Sequence, residues 1–181
     1  MSIDGGYSVG YNFNAMPVEV RQQCSGFTAG ELQVSWLLYN LSSAMNSSNV
    51  PLVCATFTLP AKISDGFSWA GYSKTGNWTS DIGMMENETQ FGRPVLMGGT
   101  TAGANLNDSH YWVCDGYHSM NYCYSYSGLP EDCQCTISTF HHINWGWNGE
   151  DNGWFTLGNL NPGGSGAYDS WLRVRLGVKP K

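Results

Sequence analysis

FHHINWGWNGEDNGWF, residues 140–155, packs three tryptophans, three glycines, two adjacent histidines and two acids into sixteen positions. Helix formers are scarce in it. Side chains alternate along an extended strand, so Phe140, His142 and Asn144 share one face and His141, Ile143 and Trp145 the other. An ordinary core strand would favour Val and Ile, and an ordinary loop Ser and Asp. Flat aromatics beside Asn144 and a run of glycines point instead to a segment built to hold something in position.

The same texture extends outward from Arg93. RPVLMGG, SHYWVCDGYHSM, CTISTFHHINWGW, GWFTL and SWLRVRLGV alternate or are rich in aromatic and β-branched residues, with Gly and Asn-Gly turns between them. They predict an antiparallel sheet of about five strands. Upstream, Thr28 to Glu31 reads T-x-x-E, a capping box, and ELQVSWLLYNLSSAM follows it, which predicts a helix over about 28–45. LPAKISDGF predicts a short helical turn, and TSDIGMMENETQFG a second helix within 79–92. Helices first and strands later is the α+β pattern. At 181 residues the chain has room for one domain, with a helical and loop part over 1–92 and a sheet part over 93–181.

Composition narrows the function. Charged residues make up 12%, about half the usual share, while aromatics reach 14%, so the surface must be largely Ser, Thr, Asn, Gly and Tyr. Eight Lys and Arg under a net charge of −6 cannot form the basic face that nucleic acid requires. No apolar run approaches the roughly 20 residues of a membrane span. The start, MSIDGGYSVGYN, shows no signal-peptide pattern. The six cysteines are Cys24, Cys54, Cys114, Cys123, Cys133 and Cys135, and their spacings form no disulfide framework. Cys123, Cys133 and Cys135 leave room for one loop-closing bridge.

The histidines are the first candidates for chemistry. His110, Trp112 and Cys114 share a face of one strand, and a hairpin would set it beside the strand ending at Asn144. In a suitable register His110 and Asn144 meet across the ladder, where opposing side chains lie about 5 Å apart. An amide oxygen fixes an imidazole tautomer and leaves the other ring nitrogen for a nucleophile, with Trp145 as cover. A satisfied, half-buried histidine at a strand start is the competing reading. His110, Cys114 and His118 do not make a metal site, because residues four apart on a strand lie about 13 Å apart. Cys133 and Cys135 with His141 and His142 lack zinc-site spacing. A carbohydrate- or protein-binding module is the other alternative, since low charge with many Trp and Tyr suits a sugar-stacking surface. Glu150, Asp151 and Asp115 are carboxylates without a marked pairing, and the first two read as turn residues.

RPVLMGG, SHYWVCDGY, FHHINWGWNGEDNGWFTLGNLNP, a Gly-rich loop and a terminal RLGVKP together resemble the C-terminal half of streptopain-family cysteine peptidases. YNFNAMP followed by a helix is similar to the segment that lies upstream of that half in the family. The resemblance implies a papain-like fold, secretion from or display on a bacterial cell, protein or peptide substrates, and no cofactor or metal. It implies that His110 is the catalytic imidazole, that Asn144 orients it and that Trp145 shields the pair. Ser109, Trp147, Gly163, Gly164 and Gly166 would border the substrate cleft. Ser109 departs from the glycine that often precedes the histidine, and YCYSYSGLPEDCQCT lengthens the hairpin. In the family the nucleophilic cysteine lies upstream of the YNFNAMP-like segment. The resemblance therefore implies a nucleophile supplied by a complementary chain or upstream segment, and an isolated chain that is inactive. Cys24, four residues before Thr28, is the best internal substitute.

Overall fold

A computed structural model describes residues 10–18, 20, 26–50, 55–73, 76–101, 109–128, 133–163 and 166–180. Cys24, Cys54 and Gly164 lie outside the described residues. The chain forms two compact units, residues 1–76 with 177–181, and residues 77–176. The border falls earlier than the change of texture at Arg93, because a short strand and a helix before Arg93 pack with the sheet.

In the first unit the predicted capping box forms. Thr28 Oγ accepts from the Glu31 amide at 3.2 Å, and the Glu31 carboxylate accepts from the Thr28 amide at 2.7 Å. Helix α1 then runs Ala29–Ala44. The single turn Phe13–Ala15 packs against its start so closely that a Cβ at Gly30 would overlap the Ala15 carbonyl oxygen. Asn40 donates to the Tyr11 hydroxyl at 2.6 Å. Strand β1, Ser48–Val50, pairs with β2, Ala55–Phe57, a hairpin that the helices-first reading missed. LPAKISDGF becomes a 3-10 turn, Pro60–Lys62, leading into helix α2, Ile63–Trp69. The amide and hydroxyl of Ser73 both donate to the Lys179 carbonyl, at 2.9 and 3.0 Å, which ties the C-terminal residues to this unit.

The second unit is a six-stranded antiparallel sheet. Its strands are β3, Trp78–Thr79; β4, Val95–Thr100; β5, Ser109–Ser125; β6, Cys133–Asn144; β7, Gly153–Phe155; and β8, Ser170–Arg175. The order across the sheet is β3-β8-β4-β5-β6-β7. The five expected strands are present, and β3 is the sixth. Helix α3 spans Met84–Gln90, shorter than the 79–92 window, with Gly83 at its N-cap.

One face of the sheet carries the core. Val174 lies opposite Met97, Met97 opposite Trp112, and Cys114 opposite both Val95 and Ile143. All six are buried, and Met85 of α3 joins them. A bulge places Asp115 between the pairs Cys114–Ile143 and Gly116–His142. Its extra residue reverses the alternation of β5, so that Tyr117, not Gly116, shares the core side with His141. Beyond the bulge β5 and β6 continue as a long two-stranded arm over much of the expected 119–136 insertion. Cys123 and Cys135 face one another across it and are disulfide-bonded, while Cys133 is free. No helix among the described residues is long and apolar enough to cross a membrane.

Candidate active site

His110 is the second residue of β5, half-buried on the core face and opposite Gly99 of β4. The backbone approach there is close: a Cβ at Gly99 would stand 2.7 Å from the Tyr168 carbonyl oxygen and 2.9 Å from the Trp112 ring. His110 Nε2 lies 2.8 Å from the Trp145 carbonyl oxygen. A carbonyl oxygen can only accept, so Nε2 carries the proton and Nδ1 is the basic nitrogen of the neutral ring. No hydrogen bond occupies Nδ1 among the described residues.

Aromatic rings surround the imidazole. Trp147 is 5.0 Å away between centroids, Tyr168 5.8 Å, Trp112 6.2 Å and Trp145 6.4 Å. The Trp145 and Trp112 planes lie within 20° and 26° of the imidazole plane. This desolvation pushes the His110 pKa below the ordinary 6.5, and the bond to the Trp145 carbonyl offsets part of it.

Asn144 is placed differently from the expectation. The register sets it opposite Val113, on the sheet face away from His110, Trp112 and Trp145. It is exposed, and its Oδ1 accepts from the Gly146 amide at 3.0 Å. The ring's bond therefore goes to the backbone of the next residue and not to the Asn144 carboxamide. Trp145 is fully buried, and its indole lies 6.4 Å from the imidazole between centroids.

Sequence reasoning missed Asn152. Its Oδ1 accepts from the Trp145 amide at 2.9 Å, across a turn in which Gly146, Asn148, Gly149 and Asp151 all have positive φ. Asn144 thus pins the peptide group that contains the carbonyl meeting His110, and Asn152 pins the peptide group before it. A second Asn eight residues after the first, beyond an N-G turn, is the signal that was available.

The glycine-rich loop closes beside this turn. The Leu160 amide donates to Asp169 at 2.9 Å, and the Tyr168 amide to the Leu160 carbonyl at 2.9 Å. Gly163 (φ +52°) comes so near the turn that a Cβ there would stand 2.5 Å from the Asp151 carboxylate. Gly166, with φ +102°, lies against Thr101. Ser109 is exposed next to His110, and Trp147 is half-buried.

The other histidines lie elsewhere. His142 Nδ1 meets the Asp115 carboxylate at 2.6 Å on the opposite face, where the Trp154 edge stands near both His142 and His118, at 5.3 and 6.0 Å. Cys114 is buried four residues along β5, and burial pushes its thiol up to about 11. Cys133 is out on the arm. Among the described residues, no thiol faces the Nδ1 side of His110.

A family profile described as the peptidase C10 family matches residues 3–155. The chain is 36% identical over 103 residues to a thiol protease/hemagglutinin PrtT of Porphyromonas gingivalis, covering 54% of this chain and 9% of that protein. It is 40% identical over 110 residues to a streptopain of Streptococcus pyogenes serotype M28, covering 58% of this chain and 21% of that protein. The chain thus spans less than a quarter of the length of either. Among solved structures it resembles the active wild-type interpain A cysteine protease of Prevotella intermedia. That match has a TM-score of 0.62 at 21% identity, over 96% of this chain and 65% of the other. A prointerpain A fragment matches with a TM-score of 0.56 at 18% identity, over 98% of this chain and 51% of the other. The α+β architecture is accordingly that of a papain-like cysteine protease.

Proposed function

The chain belongs to the peptidase C10 family, and from that premise we propose that it supplies the histidine side of a streptopain-type cysteine endopeptidase acting on protein or peptide substrates. The observation that carries the proposal is the bond from His110 Nε2 to the Trp145 carbonyl, which leaves Nδ1 for a thiol. Trp145 contributes a backbone oxygen and an indole cover, and Asn144 and Asn152 hold that oxygen in place. Asn144 is therefore a positioning residue that acts through the turn. Ser109, Trp147, Gly163 and Gly166 are the described residues that would border the cleft on this reading.

The nucleophilic thiol comes from a segment or complementary chain outside these 181 residues. His110 Nδ1 takes its proton, giving a thiolate–imidazolium pair. The thiolate attacks the peptide carbonyl carbon. The tetrahedral intermediate collapses as Nδ1–H protonates the leaving amine, which forms a thioester. Nδ1 then deprotonates the water that hydrolyses the thioester and returns the thiol. A depressed imidazole pKa keeps the ring neutral near pH 7, ready to accept the first proton. The bacterial relatives and the family resemblance support a secreted or cell-surface enzyme. A catalytic unit that lacks its nucleophile loses most of its rate, so the isolated chain is inactive.

A thiol-directed epoxide probe, applied alongside a casein-hydrolysis assay, tests this. The isolated chain should neither cleave casein nor show fast labelling of a cysteine that depends on His110. Rapid labelling of Cys24 that disappears in His110→Ala would place the nucleophile inside the chain and overturn the division proposed. The binding-module alternative draws on exposed indoles such as Trp154 and Trp171. Saturable glycan binding lost on Trp154→Ala, with His110→Ala without effect, would favour it.

A further inference from the structure

Three cysteines gather on the β5–β6 arm, thirteen or more residues along β5 from His110. Cys123 and Cys135 are bridged across the ladder. Cys133 precedes Cys135 by two residues and so projects from the same face of β6. It carries a free thiol. All three are exposed, and their sulfur atoms lie within 4.8 Å of one another. The peptidase reading uses none of them. Cys114, the other free cysteine among the described residues, is buried in the core.

A thiolate beside a disulfide is a reacting pair. Exchange proceeds by attack of the thiolate on one disulfide sulfur, and its rate depends on access and proximity. Both are present here: the attacker and the bridge share one strand face, and solvent reaches all three sulfurs. We propose that this arm is a thiol–disulfide exchange site, in which Cys133 opens the Cys123–Cys135 bridge and the free thiol circulates among the three positions. Its external substrates are small exposed disulfides of the glutathione class.

The internal exchange balances without an oxidant or reductant, and the external step takes the small disulfide RSSR as its oxidant. The Cys133 thiolate attacks Cys135 Sγ, a Cys133–Cys135 bond forms, the Cys123–Cys135 bond breaks, and Cys123 leaves as a thiolate that takes up the proton Cys133 lost. Attack on Cys123 Sγ frees Cys135 in the same way. Whichever thiolate is free attacks an external disulfide RSSR to give a mixed disulfide and RS⁻. Residues 121–128 and 133–137 of the arm are exposed and none belongs to the core cluster, so re-pairing among the three cysteines disturbs nothing in the buried face.

The test incubates the chain with oxidised glutathione at pH 8, quenches with acid, digests with pepsin at low pH and maps the arm peptides by mass spectrometry. In the wild type, glutathione should appear on Cys123 and Cys135 as well as on Cys133. In Cys133→Ser the arm should stay bridged and take up none. Glutathione confined to Cys133, with Cys123–Cys135 intact, would overturn the proposal, as would an arm that takes up none in the wild type. Recovery of all three cysteines as free thiols, with no bridge among them, would overturn it as well. Because Cys24, Cys54 and Cys114 fall in other peptides, the result is independent of any peptidase activity.

Discussion

The carbonyl oxygen of Trp145 stands 2.8 Å from Nε2 of His110, and the Trp145 indole lies within 20° of parallel to the imidazole. One residue therefore supplies both the acceptor that fixes the ring and part of the apolar wall around it. An acceptor in the backbone cannot be removed by substituting a side chain, so its position is tested through the residues that hold the peptide.

The first prediction concerns the tautomer. Nitrogen-15 spectra of the imidazoles should show His110 with the proton on Nε2 and unprotonated Nδ1 at neutral pH. Its titration midpoint should fall below the ordinary 6.5, because burial outweighs the carbonyl's support of the cation. A proton on Nδ1, or a midpoint above 6.5, would remove the basis for the catalytic reading.

The two asparagines should separate. Asn152→Ala leaves the amide of buried Trp145 without its partner, at a cost of about 1–3 kcal/mol, and should loosen the carbonyl enough to mix His110 tautomers. Asn144→Ala removes a bond to an exposed amide, which water replaces, and should cost about 1 kcal/mol or less and mix the His110 tautomers less than Asn152→Ala does. Urea unfolding and the nitrogen-15 spectra check both. The reverse ranking would restore the Asn144 carboxamide as the direct orienting group.

How much of this was open to reading from residues varied with range. Thr28 and Glu31 announced α1 because a cap is a contact three residues long. The alternation of Phe140 to Trp145 gave the correct faces, since it needs only a period of two. Asp115 and Gly116 read as part of a simple strand but form a bulge within it, and the reversed alternation beyond them was invisible. Trp78–Thr79 is too short to carry any periodicity. His110 and Asn144 were expected to meet, yet register is a long-range quantity, and it set Asn144 opposite Val113. The carbonyl that took the amide's place leaves no mark in a sequence, because every residue has one.

Acid should destabilise the sheet unit. Burial lowers the pKa values of both His110 and His141, so each ring is neutral in the folded state while the unfolded chain protonates near 6.5. Their contribution to stability is fully present above that value and is lost as pH falls through the lowered folded values. The urea midpoint should accordingly drop between pH 7.5 and 5. His141 is fully buried, and its Nδ1 has no partner among the described residues. His141→Leu should leave neutral-pH stability equal or higher and make the acid slope shallower by up to about 1.4 kcal/mol per pH unit. An unchanged slope would mean that His141 protonates as freely in the folded chain as in the unfolded one.

Gly99 should prove the most restrictive position beside His110. A methyl there meets the Tyr168 carbonyl oxygen at 2.7 Å and the Trp112 ring at 2.9 Å, one a backbone atom and the other a core indole 2% exposed. Neither yields without moving an element that packs on the imidazole, and overpacking of this kind costs about 1–3 kcal/mol. Gly99→Ala should therefore lower the urea midpoint and shift the His110 ring resonances together. At Gly92 a Cβ meets nothing within 4 Å, though its φ of +67° still strains an alanine. Gly92→Ala should accordingly lower the midpoint through backbone strain alone and leave the His110 resonances in place. Equal shifts of those resonances in the two variants would show that the close approach of β4 does not set the geometry around His110.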